Sequence, residues 1–195
     1  MQPSTFQWRK TCKRYNTPGD AHALTFSCFG RQPLLSSDRS KEWFLRSLSA
    51  ARTKHRFALW AYVLMPEHVH LVIFPEHDPY SISDILSAIK QPVTRQALKY
   101  VRAHAPDALP RMRDERAHGK VSHRFWQRGG GFDRNLVKPE AVHATIDYVH
   151  ANPVRRGLVA CPEDWAWSSA RFFAGRTDVP LVPNIETLPL RPPHR

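Results

Sequence analysis

The sequence predicts an α+β domain of ferredoxin-like arrangement, a largely antiparallel sheet with helices on one face. Three observations predict it. Strand-like runs at 21–29, 57–65 and 68–74 alternate with helical periodicity at 37–53 and 81–104, giving the order strand, helix, strand, strand, helix. Only Pro66 and Glu67 separate the second and third runs, so these form an antiparallel hairpin. The 195 residues, 42% of them hydrophobic, can bury one core with extensions.

Residues 1–20 are polar and basic, with Arg9, Lys10, Lys13 and Arg14 ahead of a Pro18-Gly19 turn, and read as an arm leading into the fold. The first strand is rich in β-formers and ends at Gly30. Ser37 or Asp38 caps the first helix, whose Trp43, Phe44, Leu48 and Ala51 recur near helical spacing. In the second helix Ile82, Ile85, Leu86 and Ile89 share a face, and Pro92 is expected to kink or break it. Residues 105–124 read as a loop carrying Arg111, Arg113, Arg116, Lys120 and Arg124. Phe125, Trp126, Arg128 and a Gly129-Gly130-Gly131 run precede a short FDRN segment. Pro139 suits the first turn of a third helix, which Pro153 should end at Asn152. A short helix is expected at 168–174. The tail at 176–195 holds five of the 17 prolines and is expected to be extended and weakly ordered. The folded domain is thus placed at 21–175.

Charge narrows the function. Lys and Arg number 29 against 17 Asp and Glu, a net +12 that favours a polyanionic partner, nucleic acid before anionic membrane. The longest apolar run, residues 57–65, is far short of the ~20 residues of a membrane helix, and no secretory signal is visible, so a cytoplasmic location, with the nucleoid, is expected. Cys12, Cys28 and Cys161 form no CxxC pair, which supports neither a disulfide framework nor a cysteine zinc site.

Two segments carry candidate chemistry. In Met65-Pro66-Glu67-His68-Val69-His70, strand geometry puts His68 and His70 on one face, where two imidazoles can ligate one divalent metal. The alternative is two half-buried histidines on an edge strand, satisfied by water or backbone. Neither HExxH nor HxxEH occurs, which excludes a zincin. On the third helix, Val142, Ile146 and Val149 form a core stripe, with Tyr148 and Asn152 one turn apart on its flank. Tyr148 can simply pack its ring. Beside a cation it can instead attack phosphorus, with Asn152 offering its carbonyl oxygen to the same metal.

The segments LMPEHVHLVI, FWQRGGGFDRN, YVHANPVRRGLV and WAWSS, in this order, resemble the HUH-type single-tyrosine transposases, in particular the REP-associated branch and its insertion-sequence relatives. The resemblance spans about residues 20–175. It implies an HUH endonuclease fold in which His68 and His70 match the paired histidines, Tyr148 the nucleophile and Asn152 a third metal ligand. It further implies Mg²⁺ or Mn²⁺, cleavage of single-stranded DNA beside short hairpins, and a 5′-phosphotyrosine with a free 3′-OH. Glu67 stands where many relatives carry Asn. Candidate DNA contacts are Arg9, Lys10, Lys13, Arg14, Arg111, Arg113, Lys120, Arg124, Trp126, Arg128, Arg155 and Arg156, in a monomer or homodimer. Two other functions compete: a nucleic-acid-binding protein of the same fold that no longer cuts, and a metal-dependent phosphodiesterase that activates water.

Overall fold

The structure, a computed structural model, describes residues 14–115 and 119–193. In chain order it contains β1 (Ala21–Ser27), α1 (Asp38–Lys54), β2 (Phe57–Leu64), β3 (His68–Pro75), α2 (Ile82–His104), β4 (Arg113–Glu115), β5 (Val121–His123), β6 (Phe132–Leu136), α3 (Pro139–Arg155) and α4 (Ala170–Phe173). The main sheet runs β2-β3-β1-β6 with every neighbouring pair antiparallel, and β4-β5 form a separate ribbon. This is the predicted α+β, ferredoxin-like order.

The placement of the helices differs from expectation. α1 and α2 bury Phe44, Leu48, Ile85, Ile89 and Val93 on one face of the sheet, against Leu24, Phe26, Leu71 and Ile73. The third helix does not join them. Val142, Ile146 and Val149 pack on the opposite face, against Ala21, Ala23, Ala58, Val63 and Val72. Both faces are therefore covered, and β2 is buried along its whole length. Its free edge is also capped: Leu64 N donates to Trp167 O at 2.9 Å, Ser169 N to Tyr62 O at 3.0 Å and Asn184 N to Leu59 O at 2.8 Å.

Local signals place the helix starts. Ser37 and Ser81 each accept a backbone N–H at 3.2 Å, from Ser40 and Asp84. Pro92 does not break α2, because buried Ile85, Ile89, Val93 and Ala97 hold both halves against the sheet. α3 continues through Pro153 to Arg155 rather than ending at Asn152. The Asn152 side-chain amide donates to Tyr148 O at 2.8 Å and to Val149 O at 3.4 Å, so the carbonyl that Pro153 cannot reach keeps a donor.

Two expected loops are structured. Residues 105–124 contain a 3₁₀ stretch, Pro106–Met112, followed by the β4-β5 ribbon. The carboxylate of Asp114 draws Arg124 and Arg128 together there. The tail is extended but tied down: Trp60 Nε1 donates to Thr187 Oγ1 at 3.0 Å, His143 Nε2 reaches Pro189 O at 2.8 Å, and Arg191 makes a fork with Asp147. No helix among the described residues is long and apolar enough to cross a membrane.

Candidate active site

β3 is an inner strand, paired on both sides, so His68 and His70 are not edge residues. Alternation sends Val69, Leu71 and Ile73 into the α1/α2 core and turns the two histidines toward the α3 face. Their Nε2 atoms converge to 3.0 Å, with the rings nearly perpendicular at 88°. Each Nδ1 is held from behind. Glu67 Oε1 stands 3.1 Å from His68 Nδ1, and Thr25 Oγ1, directly across the β1-β3 pair, lies 2.7 Å from His70 Nδ1. A carboxylate can only accept, so His68 carries its proton on Nδ1 and presents a lone pair from Nε2.

Burial pushes both imidazoles below their ordinary pKa. His70 falls to about 4, through burial first and His68 second, against a hydrogen bond with Asn152; His68 falls through burial, opposed by Glu67. Both are neutral at pH 7, the state a metal ligand requires. The spacing also fits a cation: two donors about 2.1 Å from one ion and about 90° apart stand about 3 Å from each other. Asn152, 8% exposed, spends its amide nitrogen on α3 carbonyls and keeps its side-chain oxygen as a third, neutral donor beside His70. Among the described residues there is no group of three His, Cys, Asp or Glu, so this mixed imidazole–amide set is the candidate cation site.

Tyr148 lies one turn before Asn152, 47% exposed, its ring centroid 5.8 Å from that of His70. The Arg155 guanidinium sits 5.0 Å from the centre of the tyrosine ring. A cavity of about 580 Å³ opens between α3 and the sheet, lined by Thr25, His70, Phe132, Arg134, Thr145 and Tyr148. The Tyr148 phenol, the neutral His70 imidazole and the Arg134 guanidinium therefore border one cleft, with His68 behind His70 and Arg155 against the tyrosine ring, a set suited to a negatively charged phosphorus centre.

No family model matches the chain. A curated protein of Haemophilus influenzae named "Putative REP-associated tyrosine transposase" is 28% identical over 145 residues, covering 70% of this chain and 76% of the relative. The chain is thus similar in sequence to a REP-associated tyrosine transposase. Among solved structures, a REP-associated tyrosine transposase bound to a REP hairpin superposes with a TM-score of 0.64 at 18% identity, covering 86% of this chain and 87% of that one. That likeness establishes the shared fold.

The other residues expected from the sequence to touch DNA are scattered. Arg9, Lys10 and Lys13 lie outside the described residues. Arg156 pairs with Glu67 at 3.0 Å and so ties the end of α3 to the His68 support. Arg113 pairs with Glu115 at 2.7 Å, while Arg124 and Arg128 share Asp114. Lys120 is exposed, and so is Arg111, whose carbonyl accepts from Gln32. Trp126 offers no open ring face for a base: it is 4% exposed, packed edgewise on Phe26 and Phe44, with Nε1 donating to Lys90 O. Sequence reasoning missed Thr25, which no local motif marks, and the carboxylate bridge from Glu67 to both His68 and Arg156.

Proposed function

We propose that the protein is an HUH-type transposase that nicks and rejoins hairpin-flanked single-stranded DNA through Tyr148. One observation carries the reading: His70, whose Nε2 meets that of His68, lines the same cleft as Tyr148, with the two rings 5.8 Å apart. The transposase relative and the hairpin-bound structural neighbour support DNA as the partner.

His68, His70 and Asn152 would hold a divalent cation, Mg²⁺ or Mn²⁺, which supplies positive charge to the scissile phosphate when bound. Tyr148 Oη forms a bond to phosphorus while the bond from phosphorus to the 3′-oxygen breaks. The phenol proton leaves to solvent at the exposed hydroxyl, and the departing 3′-oxygen takes a proton from solvent. Arg155, over the ring, favours the developing phenolate. The 5′-phosphotyrosine keeps the phosphodiester energy, so a 3′-OH can reverse the step on the same or another strand. Glu67 and Thr25 hold the two imidazoles in place.

The test is a labelled DNA hairpin with single-stranded flanks, incubated with the full chain and Mn²⁺. A denaturant-resistant protein–DNA adduct is expected, and Tyr148→Phe should abolish it. Cleavage by Tyr148→Phe at an undiminished rate would identify a phosphodiesterase that activates water. Binding without any cleavage would identify a protein that no longer cuts.

A further inference from the structure

A second cleft of about 630 Å³ lies on the α1/α2 side of the sheet, between α2 and the segment from β5 to β6. Its lining brings four cations together, Arg14, Lys90, Arg95 and Arg124, with hydroxyls from Ser87 and Thr94, and among the described residues no carboxylate lines it. Arg14 is backed by Asp133 and Arg124 by Asp114, and neither carboxylate lines the cleft itself. Burial lowers the Lys90 ammonium to about 8, and Arg14 and Arg124 add to the effect. Lys90 Nζ donates to Gly129 O at 3.1 Å, and the same ammonium lies 5.3 Å from the centre of the Phe26 ring and 6.0 Å from that of Trp126.

Arg14 is fixed from behind. Its Nε stands 3.3 Å from Asp133 Oδ2, and its side chain is only 9% exposed. Among the described residues Nε has only this ion-pair contact, and Nη2 is buried without a hydrogen-bond partner. Asp133, 1% exposed, is itself anchored by His22 Nδ1 at 2.8 Å, and His22 Nε2 meets the Tyr80 hydroxyl at 2.8 Å. A buried network thus holds one guanidinium with an unused donor beside an ammonium of lowered proton affinity. Gly130 makes room for it: a Cβ there would fall 1.5 Å from Arg14 Nη2.

We propose that this cleft is a phosphate-binding site, separate from the Tyr148 cleft, that holds a backbone phosphate of the DNA strand. Arg14 Nη2 and Lys90 Nζ are its principal donors, with Arg95 and Arg124 at its rim. The phosphate chemistry follows from these residues alone; the identity of the occupant as a DNA strand rests on the proposed function. Gly129 and Gly130 line this cleft and Phe132 lines the Tyr148 cleft, so a three-residue step around the β6 edge joins them. A strand gripped on one face is thereby presented to the chemistry on the other.

The experiment measures fluorescence anisotropy of a labelled hairpin with single-stranded flanks, bound to the full chain across a salt series. Lys90→Gln should weaken binding by about 10-fold and make the log–log salt slope shallower by about 0.7–0.9, the loss of one phosphate contact. Gly130→Ala removes no charge but displaces the Arg14 guanidinium, and should also weaken binding, with a thermal melt confirming the fold. Arg46→Gln, which removes an exposed charge paired with Glu42 on α1, should leave affinity within about two-fold. Unchanged affinity in both cleft variants would overturn the site. In a second arm, pyrophosphate is titrated into the chain and followed by phosphorus NMR line broadening, expected in the wild type and absent in Lys90→Gln. If pyrophosphate binds in this way and the hairpin does not bind the wild type, the cleft holds a free phosphorylated ligand and the strand is overturned as its occupant. If pyrophosphate binding is equal in both proteins, the phosphate site itself is overturned.

Discussion

The two faces of the sheet handle charge in opposite ways. On the α3 face, the strand bearing His68 and His70 collects neutral nitrogen donors, backed by the Glu67 carboxylate and the Thr25 hydroxyl. On the α1/α2 face, Arg14, Lys90, Arg95 and Arg124 gather with no carboxylate among the described residues that line the cleft. The first arrangement asks for a cation, the second for an anion. On the proposed function, one polyanionic strand with a divalent ion at its cut site would satisfy both. Separating the grip from the chemistry lets each be damaged without the other, and variants can exploit that.

The largest contrast should come from His70→Ala. It removes one of the two imidazoles, so adduct formation should fall by at least about a thousand-fold at low Mn²⁺. Hairpin affinity measured without metal should stay within about two-fold, since the cationic cleft is untouched. A parallel loss of metal-free binding would merge the two faces into one site. Thr25→Val comes next. It keeps the shape of the side chain but releases His70 Nδ1, and should raise the Mn²⁺ concentration needed for half-maximal cleavage by about 10- to 100-fold. Isothermal titration of Mn²⁺ should show the same weakening.

Gly131→Ala probes the step between the faces. Gly131 has a φ of +75°, and a Cβ there would lie 2.1 Å from the carbonyl oxygen of Thr25, so β1 and the approach to β6 would have to part. A loss of about 1–3 kcal/mol in urea unfolding is expected. The smallest effect belongs to Arg155→Gln, where loss of an exposed cation–π contact should slow adduct formation a few-fold, by about 0.5–1 kcal/mol, without changing Mn²⁺ dependence.

What the sequence made legible follows from the range of each interaction. The hairpin, the shared face of His68 and His70, and the pairing of Tyr148 with Asn152 depend on neighbours within four residues, and alternation or helical spacing reveals them. Thr25 lies 45 residues from His70, and only the β1-β3 register brings them together. The opposite placement of α3 escaped because its apolar stripe shows that a face is buried, not which side of the sheet buries it. Pro153 misled for a similar reason: the donor that offsets its missing N–H is the Asn152 side chain, which no propensity counts. The glycine run reads as flexibility until Arg14 and Thr25 are seen packed against Gly130 and Gly131. The anchoring of the tail was not legible because its contacts, from Leu181 to Arg191, are with residues more than forty positions away.

The central claim is that Tyr148 is the nucleophile, and mass spectrometry of the protein–DNA adduct tests it most directly. Five tyrosines are present, and the structure separates them: Tyr62 and Tyr80 are buried with hydroxyls donating to Leu181 O and Thr17 O, and burial pushes both up to about 12. Tyr100 stacks on His104 at the far end of α2, while Tyr15 precedes the sheet. Nuclease digestion of the adduct followed by tryptic peptide sequencing should place a single nucleotide remnant on Tyr148, joined through its phenolic oxygen to a 5′-phosphate. A remnant on any other residue, or a 3′-phosphate linkage at Tyr148, would contradict the account.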